Sequence, residues 1–589
     1  MNIAPKVLIV GAGPSGLVLA LNLLKNGVPV RVVEKEINPR IGQRGAGIMV
    51  SCLSLRIISM DSTCNPQPRS LELFQFLGVV DVITKAGTSI PTIRMYKSDG
   101  VEVLKEFQMT PSRDPTPTNP YLNPVLLGQE GLEAILRTAL AEHGCSVELG
   151  TELRSFQQFD DRVDATLVKV GEPKGDVVTE NATFDWVIGA DGARGAVRKQ
   201  LGLNFLGETR VEKFIVGDIV VEGLSPKVCR IQASAWTCLF ILPSTALAYM
   251  GRCRKHSVRG RFSFVLVGEN LQDVEVSSSH HALRKFLSDN IGNRADIVFG
   301  DIIWMSHYVP NIRVVDRFKV GRVFVAGDAA HVHSPTGGQG MNTSIQDSFN
   351  LGWKLALVVK SLARPSLLDT YSEERLPVVS EMLKQTTKLL NGVVKSSKDD
   401  GAWNRSGSTL QLGINYRWSS IILDEVKKTE PTAQDSVDER SDSYGVSVND
   451  GLQAGDRAPD SPDLTRLRSD LIAKKSSLFR DVFGPSYHTV LIFAHLVDAK
   501  ASLQRVTGYP KDVLRTAVIV PSQQAVPIDL PDHVNLVFED SKGHAHEAYA
   551  GRKCGIIVVR PDGVVGAMAR DPQWLDRYFK GILLEPLNF

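Results

Sequence analysis

Six residues near the N-terminus, Gly11-Ala12-Gly13-Pro14-Ser15-Gly16, limit what this chain can fold into more than any other stretch. They follow a short β-branched run, Val7-Leu8-Ile9-Val10, and open a segment of helical character from Leu17 to Leu24 that closes at Asn26-Gly27. A second apolar strand, Val30-Arg31-Val32-Val33, then ends on Glu34. Strand, helix and strand within about 30 residues make a βαβ unit, whose strands pair in parallel. In that setting Gly11 permits the tight turn, Gly13 lets the backbone approach a pyrophosphate, and Gly16 lets helix and strand pack closely. The helix N-terminus offers N–H groups and partial positive charge to phosphates. Glu34 lies 18 residues beyond Gly16, where a carboxylate accepts bonds from ribose hydroxyls. The pattern predicts a dinucleotide site.

Composition narrows the partners. Of 589 residues, 67 are Lys or Arg and 65 Asp or Glu, so a net charge of +2 leaves no electrostatic footprint for nucleic acid or an anionic membrane. No apolar run reaches the length of a membrane span, and the apolar stretch from Val7 is committed to the βαβ unit rather than to a signal peptide. The seven cysteines (52, 64, 145, 229, 238, 253 and 554) form no CxxC pair and no metal-ligand spacing. Such an odd, scattered set reads as reduced thiols of a cytoplasmic protein.

Further along, Leu132 to His143 reads as an amphipathic helix, Phe184 to Ile188 as a buried strand, and residues 210–270 as strands of a more antiparallel region. Val320 to Ala326 is another strand, and Thr343 to Leu362 a long helix. Ser396 to Gly401 and Lys427 to Tyr444 are polar and read as linker, and strand-like runs return from Gly455 as a separate domain of about 135 residues.

Three more motifs separate the possible dinucleotides. Ile188-Gly189-Ala190-Asp191-Gly192-Ala193-Arg194-Gly195-Ala196-Val197-Arg198 follows one strand, and Gly327-Asp328-Ala329-Ala330-His331 another. Then comes Pro335-Thr336-Gly337-Gly338-Gln339-Gly340-Met341-Asn342, a loop leading into a helix. A loop without bulky side chains lets backbone N–H groups approach a flat ring, and the helix from Asn342 aims its positive end there, where a reduced flavin would carry negative charge. His331 and His333 are expected to order this segment rather than to catalyse.

In these motifs and their order the chain resembles the class A flavin monooxygenases, specifically the phenol hydroxylase-like aromatic hydroxylases, over essentially its whole length. The resemblance implies an α/β fold. A Rossmann-like FAD-binding domain (1–90, 120–205 and 310–395) would interleave with a mixed-sheet substrate domain (91–119 and 206–309). A linker (396–450) and a thioredoxin-like α/β domain (451–589) would follow. It also implies roles. Asp328 would hold the ribityl chain of FAD, Asp191 and Gly192 would lie near the pyrophosphate and NAD(P)H, and Gln129 would reach the cofactor. Arg44 would lie where the flavin ring swings, and Pro335, Gly338, Gly340, Met341 and Asn342 would line the flavin loop. The activity implied is FAD-dependent monooxygenation with NAD(P)H and O2, hydroxylating a small phenolic molecule, with secondary metabolism as the expected setting. An epoxidase or Baeyer-Villiger-type oxygenase, a dehydrogenase, and a non-catalytic flavin-binding protein stay open. A flavin halogenase is disfavoured, since its Trp-x-Trp-x-Ile-Pro motif is absent. No metal is expected, and the catalytic side chain stays open.

Three departures stand out. Family members often carry Ala-Asp-Gly in the loop after the second strand, the acid assisting phenol ionisation, where this chain has Gly45-Ala46-Gly47. Another group must activate the substrate, or the substrate is already acidic. Cys554 is the only cysteine of the C-terminal domain, which excludes dithiol exchange and leaves a structural or homodimer-forming role. Finally, Val50 to Gln67 stands between two halves that the family joins directly, Gly45–Met49 and Pro68–Glu72. These 18 residues read as a translated short intron, with GT-type and AG-type codons available at its ends, or as a functional lid. Either way a poorly packed loop beside the cofactor is expected. Trp236, Phe240, Tyr249 and Trp304 fall in the substrate-facing region, and core packing is the expected role for each.

Overall fold

The computed structural model describes residues 5–39, 63–64, 67–89, 92–96, 103–108, 110–170, 177–210, 214–223, 236–241, 247–252, 261–267, 279–290, 293–334, 338–395, 407–426, 442–445, 451–467, 475–522, 530, 534, 536–551 and 553–584. Strand β1 (Val7–Val10), helix α1 (Pro14–Lys25) and strand β2 (Val30–Glu34) form the expected βαβ unit. β1 pairs in parallel with β2 on one side and with Trp186–Gly189 on the other, Val7 lying opposite Val30 and Trp186. Parallel pairing continues outward to Val147–Leu149 and to Val323–Val325, and an antiparallel strand, Lys319–Val320, closes one edge of this six-stranded sheet. All four residues of β1 are buried, because a parallel sheet carries cover on both faces and its central strands are apolar throughout.

Four more helices matter for the site. They are α2 (Pro68–Leu77), α3 (Gln129–Glu142), α4 (Gly340–Val359) and α5 (Thr370–Lys395). α1 packs against both α3 and α4. α4 is buried along nearly its whole length, including its polar residues, so it runs through the interior and not over the surface.

A seven-stranded sheet lies in the order Val298–Tyr308, Phe214–Glu222, Arg261–Val267, Leu247–Arg252, Trp236–Ile241, Thr92–Tyr96, Val103–Phe107. Its pairings are antiparallel except the one between Trp236–Ile241 and Thr92–Tyr96, which is parallel. The side chains of Trp236, Phe240, Tyr249 and Trp304 lie outside the description. The C-terminal part contains an eight-stranded mixed sheet around His488–Phe493, a strand buried at every position. Cys554 and Cys145 are both buried, and neither is in a disulfide.

Two expectations meet a different local structure. Within 396–450, the described residues 407–426 and 442–445 are not a free connector. Ile414, Tyr416 and Trp418 are buried, and Leu423–Asp424 pairs with Ala567 and Met568 of the C-terminal sheet. A polar composition averaged over the stretch conceals these few apolar anchors. The segment Val50–Gln67 lies mostly outside the described residues, but its far end is packed. Thr63–Cys64 pairs antiparallel with Val125–Gly128, and Gln67 is a buried N-cap of α2 whose N–H donates to Asn342 Oδ1 at 2.8 Å.

Candidate active site

The cleft begins with the turn after β1. Gly11 has φ +105°, and a Cβ there would stand 2.3 Å from the Ala190 carbonyl oxygen, so only glycine fits. At Gly16 a Cβ would stand 2.0 Å from the Gly11 oxygen, which lets α1 sit directly on the turn. Gly13 differs, because a Cβ there would meet nothing within 4 Å and would project into open space. Gly13 is the N-cap of α1, without any side-chain cap, and Pro14 takes the first turn. The turn is held in shape by its own acid. Glu34 Oε2 accepts from Ala12 N at 2.9 Å and Oε1 from Glu36 N at 3.2 Å.

Around this turn runs a cleft of about 250 Å³, which Gly11, Gly13, Glu34, Gln129, Asp191, Gly192, Asp328 and Met341 all line. Asp191 follows the strand Trp186–Gly189, and its Oδ2 accepts from Val197 N at 3.1 Å. The other oxygen, Oδ1, is buried and has no partner among the described residues, and burial raises the carboxyl above its usual pKa against the pull of the backbone N–H groups. Asp328 sits in the single turn Gly327–Ala329. Arg198 ties the two acidic loops together, donating to Ala329 O at 3.1 Å and to Ala193 O at 2.7 Å. The Gln129 amide donates to Glu133 Oε1 at 2.8 Å. A carboxylate only accepts, so the amide nitrogen faces Glu133 and the Gln129 carbonyl oxygen stays available.

The remaining expected residues stand elsewhere. Gly16 lies behind the cleft wall. Gly338 and Gly340 shape the approach to α4, where a Cβ on Gly340 would strike the His333 ring at 2.3 Å. Desolvation pulls the His333 pKa down to about 4, with His331 pushing the same way. Asn342 is fully buried and not a cleft-lining residue. Its Oδ1 accepts from Gln67 N and Ser70 Oγ, and its Nδ2 donates to Gly338 O, so the side chain fastens α2 to α4. Arg44 and Pro335 lie outside the described residues. Several lining residues escaped the sequence reading, namely Ser15, Lys35, Glu36, Thr151, Glu152, Leu153, Arg194 and Ser344. Arg194 lay inside a quoted motif, and Lys35 and Glu36 follow Glu34 directly. Thr151 to Leu153 follow closely on Val147–Leu149, the strand that pairs with β2 beside the cleft, so they leave no local signal.

Two helix N-termini therefore converge here, α1 and α4, neither with a side-chain cap. Both favour bound negative charge. The FAD binding domain family matches residues 5–60 and 62–386. A flavin-dependent monooxygenase of Mycobacteroides abscessus is 34% identical over 528 residues, covering 87% of this chain and 94% of its own length. This chain belongs to the FAD-dependent monooxygenases. Pentachlorophenol 4-monooxygenase of Sphingobium chlorophenolicum is 28% identical over 78% of this chain and 77% of its own. The fold is that of the flavin-dependent monooxygenase PieE, solved with FAD and substrate, with a TM-score of 0.74 at 22% identity, covering 98% of this chain and all of that one.

The cleft of this monooxygenase suits such a cofactor on its own geometry. Gly13 leaves a hollow that any side chain would fill, and Asp191 Oδ1 is a buried acceptor awaiting a donor. No helix among the described residues is long and apolar enough to cross a membrane.

Proposed function

We propose that the cleft binds FAD with its pyrophosphate over Gly13 at the α1 N-terminus, its adenosine ribose on Glu34 and its ribityl chain on Asp328. Asp191, Gly192 and Gln129 complete the polar wall, and the first turn of α4, with Gly340 and Met341, faces the flavin ring, Asn342 holding that turn against α2, while Gly338, Pro335 and Arg44 approach from the flanking loops. Bound FAD supplies two-electron reduction by NAD(P)H and activation of O2, so that one oxygen atom enters the substrate and the other leaves as water. The chain's own work is to hold that chemistry in place. The positive end of α4 favours anionic reduced flavin, and the uncapped α1 N-terminus neutralises phosphate charge.

The convergence of two uncapped helix ends and two acidic loops on one cleft carries this reading. The substrate is a small phenolic molecule, a class that fits a relative named for pentachlorophenol. Gly45-Ala46-Gly47 lacks a phenol-ionising acid, which favours a substrate already acidic and a place in secondary metabolism. We assign a Rossmann-like cofactor domain to 1–90, 120–205 and 310–395, and a substrate domain to 91–119 and 206–309. The segment 396–450 connects these to a thioredoxin-like domain (451–589) without dithiol chemistry, suited to a homodimer in the cytoplasm. Purified protein should be yellow, and a panel of phenols should include one that stimulates NAD(P)H oxidation and gains one oxygen by mass. Oxidation that yields only hydrogen peroxide with every phenol would refute hydroxylation of this class.

A further inference from the structure

We infer that Asp347, on α4, is a positioning residue for Asp328, acting through a bond to each end of the turn that carries it. This rests on the proposed role of Asp328 in the flavin site. Asp347 Oδ2 accepts from Gly327 N at 3.1 Å, one residue before Asp328, and bonds His331 Nε2 at 2.7 Å, three residues after it. A single oxygen thus brackets the five-residue turn. Inside the bracket Ala330 N donates to Gly327 O at 2.7 Å, and Val315 N donates to Ala330 O at 2.9 Å, so little slack remains. Gly327 has φ +60°, a left-handed conformation that the bond from its N–H holds in place.

A carboxylate here is costly unless compensated, since Asp347 and His331 are fully buried. The compensation comes from Arg375 on α5. Its Nε bonds Asp347 Oδ1 at 2.7 Å, and its two other nitrogens donate to the Tyr416 hydroxyl at 2.8 Å and to Thr343 O at 3.2 Å. Burial opposes ionisation of Asp347, yet Arg375 and His331 outweigh it and hold the carboxyl below its usual range. Among the described residues His331 Nδ1 is buried without a partner, and the ring's one polar attachment is to Asp347. One rod sets both halves of the cradle. Asp347 lies seven residues after Gly340, about 10 Å along the helix. The distance between the anchor for the ribityl chain and the helix end facing the flavin ring is therefore fixed by α4 itself.

The test is a double-mutant cycle on FAD affinity in the full-length protein, read by flavin fluorescence. His331→Leu removes one end of the bracket while leaving the Asp347–Arg375 pair intact. It should weaken FAD about tenfold, and His331→Gln, whose amide can still donate to Asp347, should recover most of that loss. In an Asp328→Ala background, His331→Leu should change FAD affinity by less than about twofold, because the residue it positions is gone. Equal tenfold losses in both backgrounds would overturn the inference, as would unchanged FAD affinity in His331→Leu with only a lowered melting temperature. If Asp328→Ala alone leaves FAD affinity untouched, the flavin role of Asp328 fails and this inference falls with it. Should His331→Leu fail to fold, His331→Phe, which keeps a ring there but cannot bond Asp347, is read in both backgrounds the same way, with equal losses as the refuting result.

Discussion

Helix α4 meets two partners by opposite means. At its N-terminal end it borders the open cleft, where glycines, two helix ends without side-chain caps and an Asp191 oxygen unpartnered among the described residues leave room and bonding capacity unused. Farther along, it meets the C-terminal sheet through long charged side chains that are wholly buried. Lys354 Nζ bonds Glu374 Oε2 at 2.7 Å and Asn350 Oδ1 at 2.9 Å, and Arg560 grips both oxygens of Glu374 at 2.8 and 2.9 Å. Trp353 Nε1 donates to Asp562 Oδ2 at 3.2 Å. Burial pulls Lys354 down to about 8 even with Glu374 beside it. It also favours the neutral acid at Glu374, but Arg560 and Lys354 outweigh it and hold that carboxyl well below its usual range. The lesson is about saturation. A junction whose charges satisfy one another holds parts together, whereas one that leaves acceptors and space open receives a ligand.

The largest effect expected from breaking this contrast lies at the saturated junction. Arg560→Ala would take the guanidinium from both Glu374 and Asp562 and leave two buried carboxylates with Lys354 as their nearby cation, at about 3–5 kcal/mol, enough to abolish soluble expression or lower the melting temperature steeply. Removing residues 455–589 would do the same, so the C-terminal part is expected to be required for solubility. A soluble, stable truncation would show that the junction is dispensable.

At the cleft, two neighbouring glycines should respond differently. Gly11→Ala meets both a left-handed φ and the Ala190 backbone, and should cost about 3 kcal/mol of fold stability. Gly13→Ala meets no protein atom, so its melting temperature without FAD should match the parent while FAD binding weakens. Thermal melts with and without FAD separate the two. An equal loss of fold stability in both variants would remove the distinction between turn and cradle.

How much of this was legible beforehand follows from the same contrast. The cleft was readable because its parts are local. Gly11, Gly13 and Gly16 are confined to six residues; Gly11 and Gly16 must be glycine for a backbone reason, and Gly13 leaves the space above the turn open. The junction was not readable. Glu374 and Arg560 are 186 residues apart, and each in isolation resembles a solvated surface charge. Asp347 was hidden likewise in a helix expected to present only its N-terminus. Asn342 shows the converse limit, since its place in a motif gave no sign that its side chain fastens α2. Thr151 to Leu153 line the cleft because the strand before them pairs with β2, which no local pattern encodes.

A smaller effect concerns pH. His488 packs edge-on against Trp353 beside the saturated junction, with ring centroids 5.1 Å apart, and it is 1% exposed. Burial, with Arg560 nearby, lowers its pKa to about 3 from an ordinary 6.5. The native state then binds the proton less well than the unfolded chain. Stability is full above about pH 6.5 and falls as pH drops toward 3, by about 2 kcal/mol at pH 5. His488→Leu should flatten that part of the melting profile between pH 7 and 5. An unchanged slope would place the acid sensitivity elsewhere.

The central claim is that the open cleft, and not the saturated junction, holds the flavin. Its most direct test is the flavin-to-protein absorbance ratio of purified Asp328→Ala beside the parent protein. A carboxylate bonded to the ribityl hydroxyls contributes about 1.5–3 kcal/mol per charge-assisted bond. The account predicts a parent carrying close to one FAD per chain, and a variant that is folded by circular dichroism yet largely colourless. Full flavin occupancy in the variant would contradict it.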